Sequence, residues 1–215
     1  MKLKNMKVAV FGATGTIGKH LITQSLEQGH KVTAFCRDST KLQEFKHSNL
    51  KTIEGDVFNP SDVDRAVQDQ DVVIIALGSG KSRKSVVRSI GTKHIIAAMK
   101  ANGVPRLICQ STLGTYESNK NLNFFWKHIM FGWYLKQIFE DHELQEKYVL
   151  ESGLDWTIVR PGAFTNGEKT EQYQHGFGPE AKSLKLKISR ADVADFILKQ
   201  LGSLHYMHQT PGLSY

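Results

Sequence analysis

Residues 7–18, KVAVFGATGTIG, restrict the fold more than any other segment, because they join an apolar run without alternation directly to three glycines spaced three apart. Val8, Ala9, Val10 and Phe11 read as a strand of a parallel sheet, buried on both faces. The turn that follows has the form of a phosphate cradle. Gly12 lets the chain leave the strand sharply, Gly15 lets backbone come close to a pyrophosphate, and Gly18 lets the next helix pack tightly on the sheet. Thr14 and Thr16 add hydroxyls beside a helix N-terminus whose free N–H groups favour an anion, and Ile17 opens that helix. Ile17, Leu21, Ile22 and Leu26 share one face of a helix over residues 17–28, with Gly29 as its C-terminal stop. A second strand, Lys31–Cys36, completes the opening. Glycines also serve turns with no ligand present; the strand before and the helix after are the context that a dinucleotide motif requires.

The end of the second strand reads which dinucleotide is bound. An Asp or Glu there takes a ribose 2′-hydroxyl, whereas a 2′-phosphate calls for Arg. Arg37 occupies the position, and Lys41 follows, with Ser39 and Thr40 as neutral donors in the same turn. The expectation is NADP(H). Asp38 is the competing reading, either as a ribose ligand or as half of a solvated pair with Arg37.

With 215 residues the chain suits one well-buried domain. A hydrophobic content of 40% and a charged content of 23% are those of an ordinary globular protein and argue against disorder. The basic start MKLKNMK precedes an apolar run that lasts only to Phe11, too short for a secretory segment, so a cytoplasmic location is expected. A net charge of +7 admits nucleic acid, but Lys and Arg are scattered and no recognition helix or zinc spacing accompanies them. Anionic small molecules fit the charge as well. Cys36 and Cys109 fall in strands and read as buried thiols, with no metal site implied.

Strands and helices alternate along the rest of the chain. Residues 50–53 form a third strand leading to Asp56 and Val57, which stand where an adenine would lie; Asp56 serves equally well as a turn residue. A helix over 60–66 begins at Pro60. Residues 71–77, DVVIIAL, are the strongest buried-strand signal, and Leu77, Gly78 and Ser79 close it with approachable backbone expected at the cofactor. A helix over 85–102 and a strand Arg106–Gln110 follow, with Cys109 and Ser111 at its end. A sixth strand over 156–160 ends in Pro161, Gly162 and Ala163, which border the same crevice. The pattern is α/β: a doubly wound, mostly parallel sheet with helices on both faces, in one Rossmann-like domain over 1–215.

GATGTIG, GDV at 55–57, the strand end at Ser111 and SGLDWTIVRPG at 152–162 resemble atypical short-chain dehydrogenase/reductases over nearly the whole chain. VTAFCRDSTKL from Val32, AAMKANGV from Ala97, ISRADVADFIL from Ile188 and the tail ending in Tyr215 resemble the flavin reductase and biliverdin-IXβ reductase branch. That resemblance implies an NADPH-dependent reductase of flavins and linear tetrapyrroles. It places Arg37 and Lys41 at the 2′-phosphate, Asp56 and Val57 at the adenine, and Ser111 and His142 at the nicotinamide and substrate. Two departures stand out: Ala163 occupies the position of a second active-site histidine, and 113–140 is longer and more aromatic.

Common short-chain dehydrogenases also use a Tyr-x-x-x-Lys pair for proton transfer. Tyr116 and Lys120 match the spacing but lie in a polar loop close behind Ser111, and Tyr134 has Ile138 where the lysine belongs. Reduction of a plain ketone is therefore disfavoured. A conjugated acceptor spreads the charge it receives and takes its proton from water, so positioning can suffice. Ser111 would orient the nicotinamide or substrate; His142 would donate a proton or bind, unless it is a surface histidine among Glu140, Asp141 and Glu143.

Seven of the twenty aromatic residues lie in 124–139. This stretch is too short and too interrupted by Lys127, His128 and Lys136 to span a membrane. It suits core packing, a wall for a planar ring, a dimer contact or a membrane surface, and Phe124, Trp126 and Trp133 are the expected substrate contacts. Segments 113–140 and 163–187 are expected on the substrate side. The expected partner is a small planar molecule, bound by a monomer or weak homodimer. Two other readings remain open: an NADP(H)-binding redox sensor without turnover, and an atypical dehydrogenase or quinone reductase with another small substrate.

Overall fold

The computed structural model describes residues 5–80, 82, 85–122, 135–181 and 183–215. Its principal sheet is built from β1 (Lys7–Phe11), β2 (Lys31–Cys36), β3 (Leu50–Glu54), β4 (Val72–Ile75), β5 (Arg106–Gln110), β6 (Asp155–Pro161), β8 (Gln174–His175) and β10 (Gly212–Ser214), in the order β3-β2-β1-β4-β5-β6-β10-β8. All neighbours pair in parallel except β8, which runs antiparallel to β10 at one edge. The last two strands extend the six that the sequence predicts. β7 (Ala163–Thr165) and β9 (Lys187–Ser189) form a separate two-stranded parallel ribbon.

The apolar runs lack alternation because both faces of the sheet are covered. Val8, Val10, Ile74 and Ile108 point to one cluster with α1 (Thr16–Glu27) and α5 (Arg190–Lys199). Ala9, Phe11, Val73, Ile75, Leu107 and Cys109 point to the other, under α2 (Pro60–Val67), α3 (Val87–Ala101) and α4 (Lys136–Leu150). Each fully buried Val, Ile or Phe contributes about 1.5–3 kcal/mol against leaving it exposed.

Helix α3 starts two residues later than the sequence suggests. The carboxylate of Asp141, on α4, accepts from the backbone N–H groups of Arg88 at 3.2 Å and Ser89 at 3.0 Å. A cap supplied from a distant helix is invisible to local pattern. Among the described residues no helix is long and apolar enough to cross a membrane.

Candidate active site

The strand order reverses between β1 and β4, and a cavity of about 730 Å³ opens there, along the carboxyl ends of the parallel strands. Gly12, Thr14, Gly15, Thr16 and Ile17 line one end of it. Gly12 has φ +89°, and a Cβ there would stand 2.3 Å from the Ala76 carbonyl oxygen, so the turn lies flat against the end of β4. A Cβ on Gly18 would stand 2.2 Å from the Gly12 oxygen and 2.7 Å from that of Ala13. Gly18 thus presses α1 against the turn itself, where the sequence reading had it against the sheet. Gly15 caps α1 with no side-chain acceptor, and no acidic residue stands in the first turn. The helix start is left suited to an external anion.

Arg37 lines the cavity at the end of β2. Asp38 does not pair with it: its carboxylate accepts from the Thr40 backbone N–H and hydroxyl and lies 3.3 Å from Lys41 Nζ. The Thr40 hydroxyl bond, reinforced by Lys41, holds Asp38 below the usual carboxylate range. This closed turn keeps Thr40 and Lys41 off the cavity wall. Asp56 accepts from the Phe58 N–H at 3.0 Å in a turn and also lines the cavity beside Val57 and Phe58. Leu77, Gly78 and Ser79 continue the wall.

Ser111, at the end of β5, is fully buried, and its hydroxyl lies 3.4 Å from Nδ1 of His142. Both line the cavity. His142 is 5% exposed on the inner face of α4, while Glu140 and Glu143 face solvent, so the surface-histidine alternative does not hold. Burial, and then the charge of Arg88, push His142 down to about 3. At neutral pH it is a neutral hydrogen-bonding ring, which suits the binding role of the two expected for it. Gly162 and Ala163 also line the cavity, but Cys109 and Pro161 do not. Cys109 shares a face of the sheet with Ser111 but lies one pleat deeper in the core, where burial raises its pKa well above the ordinary value, and Pro161 is buried in β6.

The wall opposite the phosphate turn combines Leu113, Leu122, Leu135, Ile138 and Phe139 with Phe164 and Leu186. Phe124, Trp126 and Trp133 lie outside the described residues. Tyr116 donates to the Glu143 carbonyl at 3.0 Å and Lys120 lies 3.9 Å from Glu180; neither lines the cavity. Behind the wall, Arg160 binds Glu146 of α4 through Nε and Nη2, at 3.1 and 2.6 Å, and also pairs with Glu117. Burial opposes the charge on Arg160, yet these carboxylates outweigh it and raise its pKa. Sequence reading missed Phe58, Phe164 and Arg88. Arg88 carried a signal: a cation in the first turn of a helix, where the macrodipole disfavours it, following a glycine loop at a strand's carboxyl end.

A family model described as NAD(P)H-binding matches residues 12–203. The chain belongs to the NAD(P)H-binding family. A photosystem II assembly factor of Synechocystis is 24% identical over 75% of the chain, which spans 46% of that relative's length. The yeast protein YMR090W is 28% identical, with 91% of this chain and 87% of the relative covered. Two solved structures share the fold. A Veillonella parvula short-chain dehydrogenase/reductase in complex with NADP is 20% identical with a TM-score of 0.83, covering 99% and 95% of the two chains. ChuY of Escherichia coli O157:H7, an anaerobillin reductase, is 23% identical with a TM-score of 0.81, covering 96% of each.

Proposed function

We propose that this NAD(P)H-binding protein is an NADPH-dependent reductase that passes hydride to a planar conjugated acceptor, a flavin or a linear tetrapyrrole. The observation that carries the reading is one continuous cavity. It runs from the glycine turn and Arg37, past Ser111 and His142, to an apolar wall from α4 and the β7 ribbon. Its volume of about 730 Å³ lies in the range of small-molecule and cofactor sites. The NADP held by the Veillonella protein and the reductase activity named for ChuY, on the same fold, support the direction of the reading.

Bound NADPH supplies the hydride; the chain supplies position. The start of α1 and the Gly15 turn hold a pyrophosphate, and Arg37 holds a 2′-phosphate, which Lys41 reaches by leaving Asp38. The Ser111 hydroxyl, steadied by neutral His142, orients the nicotinamide or acceptor. Leu122, Leu135, Ile138 and Phe139 form a wall that excludes water and suits a flat ring. Phe124, Trp126 and Trp133 are proposed as further contacts of the planar acceptor.

Anaerobic NADPH oxidation with FMN, FAD, biliverdin and quinones tests the reading. Multiple turnovers with a flavin or tetrapyrrole, reduced about tenfold in Ser111→Ala, are expected. Unchanged turnover in both Ser111→Ala and His142→Ala would leave these residues without a catalytic role. One observation favours a redox sensor as a second reading: among the described residues no Tyr–Lys pair reaches the cavity and His142 is neutral. Tight NADPH binding with no turnover across the panel selects it.

A further inference from the structure

We infer that Arg88 stabilises the negative charge that hydride transfer leaves on the acceptor. The inference deepens the reductase reading and rests on it for the identity of the step. Hydride brings one hydrogen nucleus and two electrons. With a flavin, the new bond forms at N5, and the displaced π electrons settle over the edge holding N1 and the C2 carbonyl. The acceptor is left a monoanion, and the donor has lost the same two electrons; a proton from water neutralises the product later. Short-chain dehydrogenases meet the developing charge with a Tyr–Lys pair, and here the described part of the cavity has none.

Arg88 is the cation placed to do it. Among the described residues that line the cavity, only Arg37 and Arg88 are permanently charged cations, and Arg37 stands at the end of β2 by the phosphate turn. The Arg88 side chain is 11% exposed. Its Nη1 donates to the Ser79 hydroxyl at 3.3 Å and lies 3.6 Å from Asp141. That carboxylate is already engaged by the Arg88 and Ser89 backbone N–H groups and the Ser89 hydroxyl, so it serves the start of α3 as much as the guanidinium. Nε of Arg88 is buried and has no hydrogen-bond partner among the described residues. A buried donor without an acceptor is costly, and a shift of the side chain that brings Nε to an anion in the cavity relieves the cost. The position beside the N-terminus of α3 adds to it. Burial lowers the Arg88 pKa, but an arginine keeps its charge throughout the working range. The charge is felt at His142, whose protonation it disfavours.

The test compares equilibrium binding of oxidised FMN and dithionite-reduced FMN, anaerobically and in mildly alkaline buffer with NADP⁺ present, to wild type, Arg88→Met and Arg88→Lys. Wild type is expected to bind the reduced anion about tenfold more tightly, with the preference erased in Arg88→Met and partly kept in Arg88→Lys. Circular dichroism checks folding, and Arg88→Gln replaces the Met variant if that one does not fold. A preference that survives in Arg88→Met or Arg88→Gln, an equal loss for both FMN forms, or a wild type that binds neither form or shows no preference overturns the inference. A wild-type preference for reduced FMN that Arg88→Met erases, found with no NADPH turnover, sinks the reductase reading and leaves Arg88 as the cation that binds the reduced anion; turnover with no wild-type preference keeps the reductase reading and overturns the inference.

Discussion

The two ends of the cavity are built by different means. The dinucleotide end is short in sequence: the glycine turn, Arg37, Asp56 and Gly78 each follow directly on a strand, and backbone does most of the shaping. The acceptor end gathers Ser111, α4, and a ribbon joining Ala163 to Leu186, held by side chains far apart along the chain. Backbone shape tolerates change in what surrounds it and fails when a Cβ is added. A wall of side chains tolerates single apolar changes and fails when the buried ion pairs behind it are broken.

Gly18→Ala should cause the largest effect at the dinucleotide end, because the new Cβ would collide with turn backbone that cannot swing away. A loss of about 3 kcal/mol in urea unfolding is expected, together with loss of NADPH binding. An unchanged midpoint would mean that the turn is looser than its contacts imply. Glu146→Gln is the counterpart at the acceptor end. It leaves the buried Arg160 with the half-exposed Glu117 in place of its buried partner and should cost about 3 kcal/mol, with NADPH affinity nearly kept. If both substitutions damage NADPH binding equally, the two ends do not behave as separate constructions.

Arg37→Glu should weaken NADPH about 30-fold while changing NADH binding less than about threefold, read by nucleotide fluorescence titration. Equal losses would remove the 2′-phosphate assignment. The smallest effect is acid stability. His142 is held down to about 3 in the folded protein. In the unfolded chain it titrates near its ordinary value, so the unfolded state binds the proton first as pH falls. Stability from the neutral ring is therefore complete above the unfolded pKa and is lost as pH falls below it, by about 2 kcal/mol between pH 7 and pH 5. His142→Gln should flatten that part of the urea-unfolding profile; an equally steep profile would show that other groups dominate it.

Legibility followed the same division. Strand and helix positions were readable because burial on both faces produces unbroken apolar runs, and because Gly12, Gly29 and Gly103 punctuate them. Bounds slipped where a distant residue intervened, as when Asp141 caps α3. Arg37 was readable at a strand end, but the turning of Asp38 toward Thr40 and Lys41 was not, since either carboxylate orientation suits the same letters. His142 sits between Asp141 and Glu143, and its letters suggest a solvated helix face. It is buried because α4 packs a polar face against α3, through Gln145 to Thr92 and Asp141 to Ser89. Cys109 and Pro161 adjoin crevice residues in sequence, but Cys109 lies one pleat deeper than Ser111 on the same face of β5, and Pro161 is buried within β6.

By itself the sequence determined the parallel sheet, the phosphate turn and the cation at the end of β2, because each depends on local geometry: strand burial, glycine conformations and the residue that follows a strand. Only the tertiary structure decided that Ser111 meets a neutral His142, that Arg88 lies in the cavity with a buried donor unpartnered among the described residues, and that Leu186 closes beside Ala163. Those contacts join residues about 20 to more than 50 positions apart, and only long-range packing can decide which of their equally plausible local orientations is used.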